Sequence, residues 1–102
     1  MLLHREALFY PSEDGMRWMR FEQQKISRGQ LVEDQFWLLI ELAMIRSDKT
    51  INALKDYLVS GETRKAACER HNVSNGYLST SLSRLYRVNY IVTQLIPYYG
   101  NR

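Results

Sequence analysis

Apolar side chains crowd residues 33–46. Phe36, Leu39, Ile40 and Ala43 make one helical face, while Trp37, Leu38, Leu42 and Ile45 cover much of the other and leave Glu41 nearly alone. Acidic groups at the start and Arg46 at the end suit the helix dipole, so the spacing predicts a helix from Glu33 or Asp34 to Arg46. A helix apolar almost all round is central in its fold or shared with a partner. In a domain this small, other helices or a second chain must cover both sides, which gives self-association a physical motive. A second helix follows, capped by Ser47 or Asp48 and stopped at Gly61, with Ile51, Leu54 and Leu58 inward and Tyr57 at the edge.

Residues 62–89 carry the pattern around which the rest is organised. Thr63 is placed to cap a short helix ending near His71, and Ala66, Ala67 and Cys68 are small enough for another helix to cross closely. The turn is Asn72-Val73-Ser74: Asn accepts the left-handed backbone that ends a helix, Val73 plugs the gap between helices, and Ser74 caps the next one. In that next helix Leu78, Leu82 and Leu85 form one narrow apolar stripe. At about 100° per residue the opposite side carries Gly76, Thr80, Ser83, Arg84 and Arg87, flanked by Tyr77 and Ser79. Short hydroxyls with arginine allow close approach to a nucleic-acid groove, and Ser74 and Gly76 lie at a helix N-terminus whose N–H groups can meet a phosphate.

An ordinary helical hairpin with a basic outer face has the same spacing, and charge separates the two readings. Residues 1–62 hold 8 Lys/Arg against 10 Asp/Glu, whereas residues 63–102 hold 6 against 1, and no carboxylate follows Glu69. Acidic groups are absent where phosphates must approach. The expectation is a helix-turn-helix that binds double-stranded DNA. From Val88 the stripe changes phase: Val88, Ile91, Val92 and Leu95 lie roughly 90° around the helix from Leu78, Leu82 and Leu85. Either the helix bends or ends near Asn89, or one long helix offers a second stripe to another surface. Pro97 is expected to stop it. No Gly-turned strand pair follows, which disfavours a winged variant.

Residues 1–30 are expected to form an N-terminal arm without a clear period, broken by Pro11, residues 12–15 and Gly29. Residues 16–21 suit a strand, a helix or a docking arm, and Trp18, Met19 and Phe21 call for packing against something. Residues 31–102 then make the DNA-binding domain with a helical extension. The fold class is all-α: a small domain of four to five helices with a non-winged helix-turn-helix.

At 102 residues the chain has room for a single core. One cysteine, Cys68, excludes an internal disulfide, charged residues interrupt the first ten positions, and residues 36–40 are too short a run to span a bilayer. A cytoplasmic protein without a membrane partner is the expectation. His4 and His71 have no metal-ligand spacing, and His71 reads as a half-buried helix-end residue that complements the dipole. No glycine-rich phosphate loop or nucleophile elbow is present, so no cofactor, metal or enzymatic activity is expected.

The chain resembles the PapB type of fimbrial, or adhesin-biosynthesis, transcription regulators. The resemblance rests on residues 36–40, on 53–61, on Arg64-Lys65 with Cys68-Glu69, on Asn75-Gly76-Tyr77-Leu78-Ser79-Thr80, on Leu82 with Arg84-Leu85, and on Pro97-Tyr98-Tyr99. It spans 33–99 and leaves the N-terminal third largely unmatched. It implies a cytoplasmic regulator of an adhesin operon that binds A/T-rich, promoter-proximal DNA as an oligomer. By position, Arg64, Lys65 and Arg84 or Arg87 would meet phosphate, and the face with Ser74, Asn75, Gly76, Tyr77, Ser79, Thr80 and Ser83 would read a groove. Trp37, Leu38, Leu42, Ile45, Ile91, Val92 and Leu95 are the expected oligomer interface. The alternative is a helix-turn-helix module that binds polymerase or another regulator.

Overall fold

A computed structural model describes residues 25–99, which form four helices: α1 (Glu33–Ala43), α2 (Asp48–Leu58), α3 (Arg64–His71) and α4 (Asn75–Tyr99). No strand occurs among the described residues, and the small all-α fold is the one the apolar spacing predicts. The segment at 16–21 and the end of the tail at Arg102 lie outside the described residues.

α1 begins behind an extended Val32, which has no capping side chain of its own; its N–H donates to Gln35 Oε1 at 3.4 Å. Phe36, Leu39, Ile40 and Ala43 are buried as expected. The C-terminus departs from expectation. Met44 adopts the left-handed conformation (φ 57°), its N–H returns to Glu41 O (3.2 Å), and Ile45 N–H returns to Ile40 O (3.4 Å). The chain reverses there, so the helix ends at Ala43 instead of Arg46. Ile45, expected on the oligomer face, is only 7% exposed and belongs to the core.

α2 is capped by Ser47, whose Oγ accepts from Thr50 N–H at 3.3 Å, and it buries Ala53, Leu54 and Leu58. The incoming chain covers its far end: Gly29 N–H donates to Tyr57 O (2.9 Å) and Leu31 N–H to Leu58 O (3.0 Å). Gly29 (φ 71°) and Gly61 (φ 82°) meet at this crossing, where a Cβ on Gly29 would stand 3.1 Å from Gly61 Cα. Both conformation and space therefore demand glycine at 29. Ile26 and Leu31 are buried with the helices, so the packed unit starts upstream of residue 31.

α3 and α4 follow the predicted pattern closely. Thr63 Oγ1 accepts from Ala66 N–H (3.1 Å), Asn72 turns left-handed (φ 57°), Val73 is buried, and Ser74 Oγ accepts from Tyr77 N–H (3.1 Å). Leu78, Leu82 and Leu85, joined by Ser81 and Tyr86, hold the first half of α4 in the core, where it packs against α1, α2 and α3. Of the two outcomes left open for its second half, one long helix is found. Pro97 does not stop it: α4 runs to Tyr99 with the proline in its final turn. The ring removes the N–H that would bond Thr93 O, but this end is exposed, so that carbonyl is not left in an apolar interior. No helix among the described residues is long and apolar enough to cross a membrane.

Candidate nucleic-acid interface

The outer side of the first half of α4 is built by the cap and the stripe. Ser74 sets where the helix starts, and burial of Leu78, Leu82 and Leu85 fixes its rotation. Gly76, Tyr77, Thr80, Ser83 and Arg87 are thereby exposed, with Ser79 half-buried at the margin. A Cβ added at Gly76 would meet nothing within 4 Å, so the helix start is open to an approaching ligand. Thr80 Oγ1 donates to Gly76 O at 3.2 Å, which leaves its hydroxyl oxygen able to accept.

Three residues expected to touch DNA touch one another. The Arg64 guanidinium, on the first turn of α3, donates to Asn75 Oδ1 (3.1 Å) and to Ser79 Oγ. This ties the start of α3 to the start of α4 and holds a positive charge beside the open helix N-terminus. Lys65 is exposed and makes no hydrogen bond or ion pair with the described residues.

Two cations of the C-terminal region are engaged elsewhere. Arg70 Nη1 bonds Asp56 Oδ2 (2.8 Å) and Glu62 Oε2 (2.7 Å) across the α2–α3 junction. Glu62, then Asp56, holds the Arg70 guanidinium still more firmly in its charged form. His71 Nε2 also lies 2.7 Å from Asp56 Oδ2. The helix-end position expected of His71 is found, but a carboxylate that no spacing pointed to is its partner. Arg84, expected at phosphate, turns the other way: its guanidinium donates to Ala43 O and, at 3.4 Å, to Met44 O. α1 has no basic residue in its last turn, so Arg84 brings the missing positive charge to that dipole end.

Apart from the buried Ile45, the residues expected to mediate assembly are found on α1 and on the second half of α4. Leu38 (68% exposed) and Leu42 stand on the outer face of α1. Met44 is exposed beyond them, and it escaped the sequence reading because the helix was expected to run on. Trp37 is 42% exposed and less free, since its indole N–H donates to Glu33 Oε2 (3.2 Å) and Lys55 Nζ lies 5.7 Å from its ring centre. The Lys55 ammonium, 2.9 Å from Glu33 Oε2, and then the Trp37 indole hold the Glu33 carboxyl below its ordinary range. On α4, Ile91 and Leu95 are exposed and Val92 half-buried. Among the described residues no group of histidine, cysteine and carboxylate side chains is arranged to hold a metal.

Comparison with known proteins places this arrangement. The family model described as "Adhesin biosynthesis transcription regulatory protein" (PapB) matches residues 12–99, so the match reaches well into the N-terminal third. The chain is 54% identical to the AFA-III adhesin operon regulatory protein of Escherichia coli over 71 residues, 70% of either chain. It is 49% identical to the E. coli major pilus subunit operon regulatory protein PapB, covering 70% of this chain and 68% of that one. The crystal structure of E. coli FocB superposes with a TM-score of 0.77 at 46% identity, covering 83% of this chain and 98% of the other. The two relatives compared by sequence are operon regulatory proteins, and the chain is no enzyme: it belongs to the PapB family of adhesin biosynthesis transcription regulatory proteins.

Proposed function

We propose that the protein regulates a fimbrial or adhesin operon by binding double-stranded, A/T-rich DNA near its promoter as an oligomer. The observation that carries this is the outer face of α4 from Gly76 to Arg87, which is small, hydroxyl-bearing and cationic, with no carboxylate from Arg70 onward to oppose phosphate. Ser74, Asn75, Gly76, Tyr77, Ser79, Thr80 and Ser83 form the reading surface. Lys65, Arg64 and Arg87 supply charge at its edges. With Arg70 bonded to Glu62 and Arg84 to Ala43 O, the charge left to face phosphate is smaller than the raw count of six cations after residue 62. The regulatory names of the relatives support the same reading.

Leu38 and Leu42 on α1 and Met44 just past its end, with Ile91, Val92 and Leu95 on α4, support assembly of several copies on adjacent sites. The same exposed faces favour the second reading, a module that docks on polymerase or another regulator. Light scattering at micromolar concentration separates them, because self-assembly predicts more than a monomer.

A gel-shift titration on upstream adhesin-operon DNA tests the main reading. Affinity is expected to fall steeply with salt, with a slope of log K against log salt of about −0.9 per phosphate contact. Lys65→Gln is expected to flatten that slope by about one contact per protomer. Absence of binding at low salt sinks the proposal.

A further inference from the structure

We infer that Arg84 is a positioning residue, which sets the reading helix against the end of α1 instead of neutralising phosphate. The inference rests on the DNA-binding reading above and changes how one of its cations works. By helical spacing Arg84 belongs to the margin of the reading face, one turn from Thr80, next to Ser83 in the chain and on the flank that Val88, Ile91 and Leu95 continue. In the fold its guanidinium takes the carbonyl oxygens of two successive residues, Ala43 and Met44, 41 and 40 positions earlier in the chain.

The site suits a cation. The left-handed turn at Met44 satisfies Ile40 O and Glu41 O through returning N–H groups, while Ala43 O and Met44 O receive no backbone donor there. These sit at the negative end of α1, whose last turn has no lysine or arginine. One nitrogen of the guanidinium, Nη2, donates to both oxygens, with the bond to Met44 O the longer at 3.4 Å. The contact therefore adds a tie between the end of α1 and α4 beside Leu85, where the buried leucine stripe that sets the rotation of α4 ends.

Arg84 also stands between the two surfaces that the proposed function needs. Met44, whose carbonyl it holds, exposes its side chain as Leu42 of the assembly face does, while Thr80, one turn away, and the preceding Ser83 are exposed on the reading face. Loss of Arg84 should loosen how α4 is aimed without changing how many phosphates are neutralised. Loss of a phosphate contact flattens the salt dependence and keeps the sequence preference, whereas loss of a positioning residue should lower the preference and keep the salt dependence.

The test compares the full chain with Arg84→Gln, Arg84→Lys and Lys65→Gln on an A·T duplex and a G·C duplex of equal length, over a range of salt and well below each protein's Tm. Arg84→Gln is expected to lose about tenfold of its preference for the A·T duplex, roughly the weight of one charge-assisted hydrogen bond, with its salt slope unchanged. Arg84→Lys should recover part of that preference, and Lys65→Gln should flatten the slope and keep it. If Arg84→Gln flattens the slope by about 0.9 and weakens both duplexes equally, Arg84 is a phosphate contact and the inference is overturned. A lowered Tm with unchanged duplex preference also overturns it, leaving only a structural role. Should the unaltered protein bind neither duplex, the DNA-binding reading itself fails, an outcome distinct from either result for Arg84.

Discussion

The two halves of α4 share one backbone and live in different surroundings. Up to Tyr86 the helix is clamped: Leu78, Leu82 and Leu85 are buried, Ser74 caps its start and Arg64 holds Asn75 and Ser79. From Val88 onward the apolar positions turn to another side, and Ile91, Leu95, Ile96, Tyr98 and Tyr99 are exposed. A period that stays constant while its phase shifts by roughly 90° makes one helix serve two surfaces. The first half is anchored by its own fold and can present a fixed outer face. The second half has apolar area in excess of what the described core covers, as an assembly surface would.

The largest expected effect comes from removing one leucine from each half. Leu82 is 1% exposed, and Leu82→Ala should cost about 2–5 kcal/mol through lost burial and a cavity, lowering the urea midpoint sharply or unfolding the chain. Leu95 is 43% exposed, and Leu95→Ala should shift the urea midpoint of the isolated chain by less than about 0.5 kcal/mol. Its effect should appear in light scattering instead, as a smaller assembled fraction. Equal destabilisation by the two changes would show that the second half is folded onto the same core and would end the division.

How well each half was legible in the sequence follows from where its determinants lie. The turn and the first half of α4 are set by local chemistry, a left-handed asparagine, a valine plug, a serine cap and a 3–4 leucine spacing, and each performs as expected. Determinants distant in sequence were not visible. Nothing near Arg84 says that carbonyls at Ala43 and Met44 await it, and nothing near Asp56 announces Arg70 and His71. Ile45 was misplaced because helical periodicity was extended through Met44, a residue type that rarely adopts the left-handed turn found there. Pro97 was expected to stop the helix because a proline disfavours helical backbone at the residue before it; Ile96 is helical all the same, and in an exposed last turn the hydrogen bond lost at Pro97 costs little.

A smaller effect should follow from the helix start. Ser74→Ala removes the acceptor of Tyr77 N–H and should destabilise the first half by about 1 kcal/mol, a shift of several degrees in Tm for a domain of this size. Thr93 is a comparable hydroxyl in the second half, whose Oγ1 donates to Tyr90 O at 2.6 Å in an exposed stretch. Thr93→Ala should leave Tm nearly unchanged, because the freed carbonyl there is met by water. Differential scanning calorimetry on both variants distinguishes a clamped half from an unclamped one.

The smallest effect concerns the boundary between the halves. Tyr86 is the last buried residue of α4, and burial, then the neighbouring Tyr57, pushes its phenol above the ordinary value of 10.0, while Arg64 pulls against them. A group whose folded pKa is raised binds its proton more tightly in the folded state, so its contribution is fully present below the unfolded value and is lost as pH rises through the folded one. Stability should therefore be insensitive to Tyr86 up to about pH 10 and decline above it. Tyr86→Phe removes the titrating group while keeping the ring, so the alkaline decline in urea midpoint should be shallower than in the parent chain. Tyr98→Phe, in the exposed half, should leave the decline as it was. If Tyr98→Phe flattens the decline as much as Tyr86→Phe does, the core does not end where α4 leaves Tyr86, and the boundary between its two halves must be drawn further along the helix.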